Sequence, residues 1–227
     1  MIRILPILAL VLLAVLARHF AARVSARRLA AQSQPLTDPA ITRLADRMAR
    51  AMDLPEIAVH VYDADQVNGM AAADGRIYLT RGFIAKKMQG DVSAEELASV
   101  IAHEMGHVAL GHMRRRMVDF TGQKAAFVVL TAVLGRFIPF VGPWIAGTLS
   151  NALMARLSRR DEFEADAYAT ALLLKSGIGT APQKSLFRKL DTLAKTGTAG
   201  LPVWLLSHPP AADRIAAIEA NEARWLA

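Results

Sequence analysis

The period of the apolar positions changes several times along the chain, and each change marks an element. Residues 4–17 are almost wholly apolar and are bounded by Arg3 and Arg18. A membrane-spanning helix needs about 20 such residues. Extending the run to Phe20 and Ala22, with Arg18 and His19 snorkelling, gives a marginal span. The competing reading is a signal peptide cut after Val15, Leu16 and Ala17. The flank that follows carries Arg18, Arg23, Arg27 and Arg28, which favours an uncleaved anchor over residues 1–22 and a basic linker over 23–39. That charge excess also favours a cytoplasmic face for the rest of the chain, with a periplasmic or other extracytoplasmic face as the alternative.

Beyond the linker the pattern becomes that of a folded domain over residues 40–227. Ile41, Leu44, Ala45, Met48 and Met52 recur at helical spacing, and Asp53, Leu54 and Pro55 end that helix. Ile57, Val59 and Val61 then alternate with Ala58, His60 and Tyr62, the signature of a half-buried strand. A second strand is expected over about 67–72, and Asp74 and Gly75 signal a hairpin turn into a return strand over 76–80. This small antiparallel sheet precedes a helical remainder, which makes the fold class α+β, not wound from βαβ units. Ser93 and Glu96 form a capping box ahead of Leu97, Val100, Ile101 and Val108 at helical spacing.

On that capped helix lie His103, Glu104, Met105, Gly106 and His107. Residues four apart share a helix face, so the two imidazoles can reach one ion. Zn2+ suits neutral nitrogen donors in a tetrahedral site. Glu104 is offset by about 100° from His103. It can therefore meet a metal-activated water, take its proton and pass it to a leaving amine. The metzincin extension fails, because Leu110 and Met113 stand where glycine and histidine are required. His112 falls on a different face of an ideal helix and is not expected to be a ligand.

A third ligand should come from a second helix, and the dense acidic cluster downstream is Asp161, Glu162, Glu164 and Asp166. Glu162 and Asp166 are four apart, so Glu162 can ligate while Asp166 accepts a hydrogen bond from a ligand imidazole. Glu164 is the substitute. The bland alternative is a solvated face paired with Arg159 and Arg160.

The run from Ser158 to Ala167, together with the histidine motif, resembles the metallopeptidase family of HtpX and the CAAX prenyl endopeptidases. In that family the glutamate matching Glu162 supplies the third ligand. Asn68 to Ala71 and Gly75 to Tyr78 resemble the family's Asn-Ala-x-Ala and Gly-x-Ile strands, except that Gly69 stands where alanine is usual. His208, Pro209 and Pro210 with Arg214 and Ile215 resemble its C-terminal element. His208 is either a turn residue before a helix or a catalytic group, as an oxyanion donor or a reversible metal contact. The resemblance implies a zincin-like fold, one zinc ion per chain and endopeptidase activity.

Residues 125–150 are nearly all apolar and are broken by Pro139, Gly142 and Pro143. They read as a helical hairpin that docks on the bilayer or covers the active site, with Arg114, Arg115 and Arg116 beside it suited to lipid headgroups. The formal charge is +7 and no nucleic-acid recognition pattern is present, so the acidic partner expected is an anionic membrane. Cysteine is absent, which excludes thiolate metal sites. The function expected is a membrane-associated zinc endopeptidase acting on misfolded or membrane polypeptides in protein quality control. The alternative is a catalytically idle membrane adaptor that retains the fold.

Overall fold

The computed structural model describes residues 26–72, 74–112, 115, 142–196 and 210–226, with isolated positions at 13, 16, 20, 23, 24, 127, 131 and 136. Most of the expected anchor over 1–22, most of the hairpin over 125–150 and His208 lie outside the described residues. Among the described residues, no helix is long and apolar enough to cross a membrane.

The first elements are β1 (Ser33–Pro35) and α1 (Pro39–Ala51). Asp38 caps α1 by accepting from the backbone N–H groups of Ala40 and Ile41 at 3.0 and 3.2 Å. Pro39 at the first helical position loses no intrahelical bond. Ile41, Leu44, Ala45 and Met48 form the buried face, as their spacing predicts.

Three strands follow: β2 (Val59–Tyr62), β3 (Gly69–Ala71) and β4 (Ile77–Thr80). The order across the sheet is β1-β2-β4-β3. The hairpin of β3 and β4 is antiparallel as expected, but β2 and β4 run parallel, so the sheet is mixed. The reason is topological. With β3 outside β4 as its hairpin partner, β4 returns in the direction of β2 and lies directly beside it. Alternation along a strand reports its two faces, not its neighbours. The strand β1 falls in the stretch read as linker, where its three residues leave no periodic signal. β4 is central and buries all of Ile77, Tyr78, Leu79 and Thr80.

Thr80 then caps α2 (Arg81–Met88), and the expected capping box opens α3 (Ala94–Ala109). Its two bonds are Glu96 N–H to Ser93 Oγ at 3.1 Å and Ser93 N–H to the Glu96 carboxylate at 2.8 Å. From Leu97 to His107 every residue of α3 is buried, so this is a central helix, not a surface one. It packs against α1, the sheet, α4 (Gly142–Lys175) and α5 (Ala181–Thr196). Leu97 and Ile101 are fully buried there, and truncating either to alanine would cost about 2–5 kcal/mol. The last helix, α6 (Ala211–Trp225), closes over α4 and α5. Residues 142–150, assigned by pattern to the second arm of a hairpin, are the first turns of α4. Pro143 there sits in the opening turn, where proline starts a helix instead of breaking one.

Candidate metal centre

The centre is built where α3 crosses α4. The crossing is close because Gly106 has no side chain: a Cβ there would lie 2.9 Å from the Cα and 3.0 Å from the carbonyl oxygen of Ala165. That contact brings the face of α4 carrying Glu162 and Asp166 against the histidines of α3. His103, Glu104, His107, Glu162 and Asp166 are all buried.

The Nε2 atoms of His103 and His107 stand 3.1 Å apart. One carboxylate oxygen of Glu162 lies 3.3 Å from His103 Nε2 and the other 3.5 Å from His107 Nε2. These three residues form one group able to hold a metal ion. Zinc bonds at about 2.0–2.2 Å in a tetrahedral site put neighbouring donors about 3.3–3.5 Å apart. The two separations from Glu162 fall on that spacing and the 3.1 Å between the imidazole nitrogens is slightly shorter, and the donor set of two imidazoles and one carboxylate suits zinc.

Residues 35–222 match the pattern of Peptidase family M48. The chain belongs to peptidase family M48. The resemblance to HtpX read from the motifs is therefore borne out. Metalloprotease LoiP of Escherichia coli (strain K12) is 31% identical over 175 residues, 77% of this chain and 66% of that protein. Metalloprotease YcaL of the same organism is 29% identical over 77% of this chain and 65% of its own length. The chain thus spans just under two thirds of both relatives. Protease HtpX of Pseudomonas aeruginosa is 29% identical over 83% of this chain and 75% of that protein.

Around the M48 motif, the far side of His103 is held firmly. Its Nδ1–H donates to Asp166 Oδ1 at 2.9 Å. Asp166 in turn accepts two bonds from Arg214 of α6, both at 2.6 Å. The Arg214 guanidinium lies 4.1 Å over the Phe187 ring. Burial alone would lower His103, but its bonds to Asp166 and Glu162 outweigh that and raise it to about 9. His107 is lowered, chiefly by burial. Burial would raise Asp166, yet the charge and hydrogen bonds of Arg214 hold it below the usual carboxylate value.

Glu104 faces the sheet. A Cβ on Gly69 would lie 3.7 Å from its Cγ, so the strand β3 runs beside it. Glu164 is not in the three-donor group. It pairs with Arg115 at 2.9 Å and with Arg160 at 2.8 Å, and Arg115 chiefly lowers its carboxyl to about 2.

Two residues near the M48 motif were not given a role from the sequence. Arg214 supports Asp166. The signal was an arginine in register with Ala211 and Ile218 on the buried face of α6. His112 is fully buried and contacts His107. A helical wheel misplaces it because α3 ends at Ala109 and Gly111 takes φ +65°, turning the chain back.

Proposed function

We propose that this chain is a zinc-dependent metalloendopeptidase that works at a membrane. The observation that carries the reading is the buried triangle of His103, His107 and Glu162, with edges of 3.1–3.5 Å and Glu104 in the same helical turn. His103, His107 and Glu162 would hold the ion, one per chain. When bound, zinc supplies Lewis acidity to an attacking water and to the substrate carbonyl. Glu104 is the general base: it takes a proton from the water as the C–O bond forms and delivers it to the amine nitrogen as the C–N bond breaks. Asp166 and Arg214 keep the His103 ring aimed with its Nε2 inward. The strand β3 lies at one end of the sheet order and beside Glu104, so a peptide running along it in extended form would present its bond to the base.

Membrane attachment rests on the apolar run over residues 4–17 and the arginines that follow it. We place the catalytic domain on the cytoplasmic face and assign it misfolded or membrane polypeptides as substrates, in quality control. The test is metal content together with cleavage of an unfolded protein by wild type and Glu104→Gln. The variant is expected to retain zinc and lose about 10²–10⁴-fold in turnover, because the amide keeps the shape and lacks the base. Undiminished cleavage by the variant would overturn the mechanism. Removal of residues 1–31 should weaken sedimentation with anionic liposomes; unchanged binding would shift the anchor elsewhere in the chain.

A further inference from the structure

Beside the triangle lies a second group of side chains: His112, Asp161 and Glu164. Their donor atoms are close enough to suggest a second ion, but a cation already stands among them. Arg115 Nη1 donates to Asp161 Oδ1 at 3.2 Å and to Glu164 Oε2 at 2.9 Å. The group therefore has a different use, and the hydrogen bonds of His112 define it.

His107 turns its Nε2 toward His103 and Glu162 and its Nδ1 toward His112, with 2.8 Å between the two Nδ1 atoms. Two imidazole nitrogens at that separation share one proton: one donates and the other accepts. A ligand must offer a lone pair from Nε2, so in a neutral His107 the proton is on Nδ1. His112 Nδ1 then accepts, which leaves the proton of a neutral His112 on Nε2. That atom lies 3.2 Å from Glu164 Oε2, a carboxylate that can only accept. Every donor in the chain from His107 through His112 to Glu164 thus meets an acceptor. Arg115 and Arg160 hold the Glu164 end of the chain in place.

We propose that His112 is a positioning residue for the metal centre, fixing His107 as its Nδ1–H tautomer through a hydrogen-bond relay to Glu164. The two ligand histidines are then backed in different ways. His103 meets its carboxylate, Asp166, directly. His107 meets Glu164 through one intervening imidazole. The inference rests on the reading of His103, His107 and Glu162 as zinc ligands.

The experiment uses the full chain, labelled with 15N in histidine. In the zinc-loaded wild type, long-range nitrogen–proton correlation should show His112 as the Nε2–H tautomer and His107 protonated on Nδ1. Zinc affinity is then measured by competition with a chromophoric chelator. His112→Phe fills the space but cannot accept, and should lose about 10–100-fold in affinity. His112→Asn can place an amide oxygen where Nδ1 stood, and should recover most of that loss. His112 found as the Nδ1–H tautomer would overturn the proposal without any variant. So would wild-type affinity in a folded His112→Phe, or equal losses in Phe and Asn, which would mark a purely packing role. Two zinc ions in the wild type and one in His112→Phe would make His112 a ligand instead. If the wild type binds no zinc, the function proposed above fails, a result distinct from all of these.

Discussion

Arg214 grips both carboxylate oxygens of Asp166 at 2.6 Å, in a pocket where neither side chain is more than 2% exposed. A fork of this kind is bidentate and charge-assisted, and it fixes the plane of the carboxylate as well as its charge. Asp166 can therefore meet His103 from one direction only. The two partners come from α4 and α6, so the clamp also ties the last helix to the one that carries Glu162.

Removing the arginine leaves the buried carboxylate with His103 as its partner and without the bidentate arginine charge. Arg214→Met preserves much of the volume and should destabilise the protein by about 3–5 kcal/mol. Arg214→Lys keeps the charge but loses the fork, and should fall between the two. Denaturant unfolding at neutral pH measures the series. A methionine variant as stable as wild type would mean that Asp166 finds another partner.

The histidine motif, its capped helix and the acidic helix were legible because each depends on spacing within a few residues. The capping box at Ser93 and Glu96 and the shared face of Glu162 and Asp166 are local facts. The parallel pairing of β2 with β4 was not legible, since it depends on where β3 inserts. Nor was the relay through His112, which needs the left-handed turn at Gly111 to bring the residue back. Arg214 lies 48 positions from Asp166, and only its place on an apolar helix face hinted at burial.

Gly106 decides how near α3 and α4 can come. Alanine there should favour the isolated helix by about 0.8–1.0 kcal/mol. In the protein its Cβ would press on the Ala165 backbone at 2.9–3.0 Å, and backbone cannot rotate away. Gly106→Ala should therefore spread the crossing and move Glu162 from the histidines. The expected result is near-normal helicity by circular dichroism with sharply reduced zinc content. Ala165→Gly should not rescue it, because the clash is with backbone atoms. Full rescue would show that the Ala165 methyl was the obstacle.

The departure at Gly69 has a partner in α3. A Cβ on Gly69 would lie 2.5 Å from Val100 Cγ1, and a valine in a helix has little rotamer freedom to move aside. Gly69→Ala alone should cost about 1–3 kcal/mol through overpacking. In a Val100→Ala background the same change should cost much less. A double-mutant cycle by denaturant unfolding tests this, with an expected coupling of about 0.5–3 kcal/mol. Additive effects would mean that the strand shifts to make room and that the two positions are independent.

Glu96 links the start of α3 to α5 and carries a pH dependence whose sign can be worked out. Its carboxylate accepts from Ser93 N–H and from Lys189 Nζ, both at 2.8 Å, and from Ser185 Oγ at 2.7 Å. Burial pushes its pKa up, but Lys189, Ser185 and the Ser93 amide together hold it below the usual 4.5. A folded-state pKa below the unfolded value means that the folded state binds the proton less readily. The stabilisation is thus present in full above about pH 4.5 and is lost as pH falls through the folded-state value. Glu96→Gln cannot carry the charge, so its stability deficit should be constant from pH 7 to about pH 5 and should shrink below that. Urea unfolding of both proteins across that range gives the difference directly, with a chelator present in each so that any metal loss at low pH does not enter. A deficit that stays the same at pH 4 and below would assign the role of Glu96 to hydrogen-bond geometry at the helix start, with no contribution from its charge.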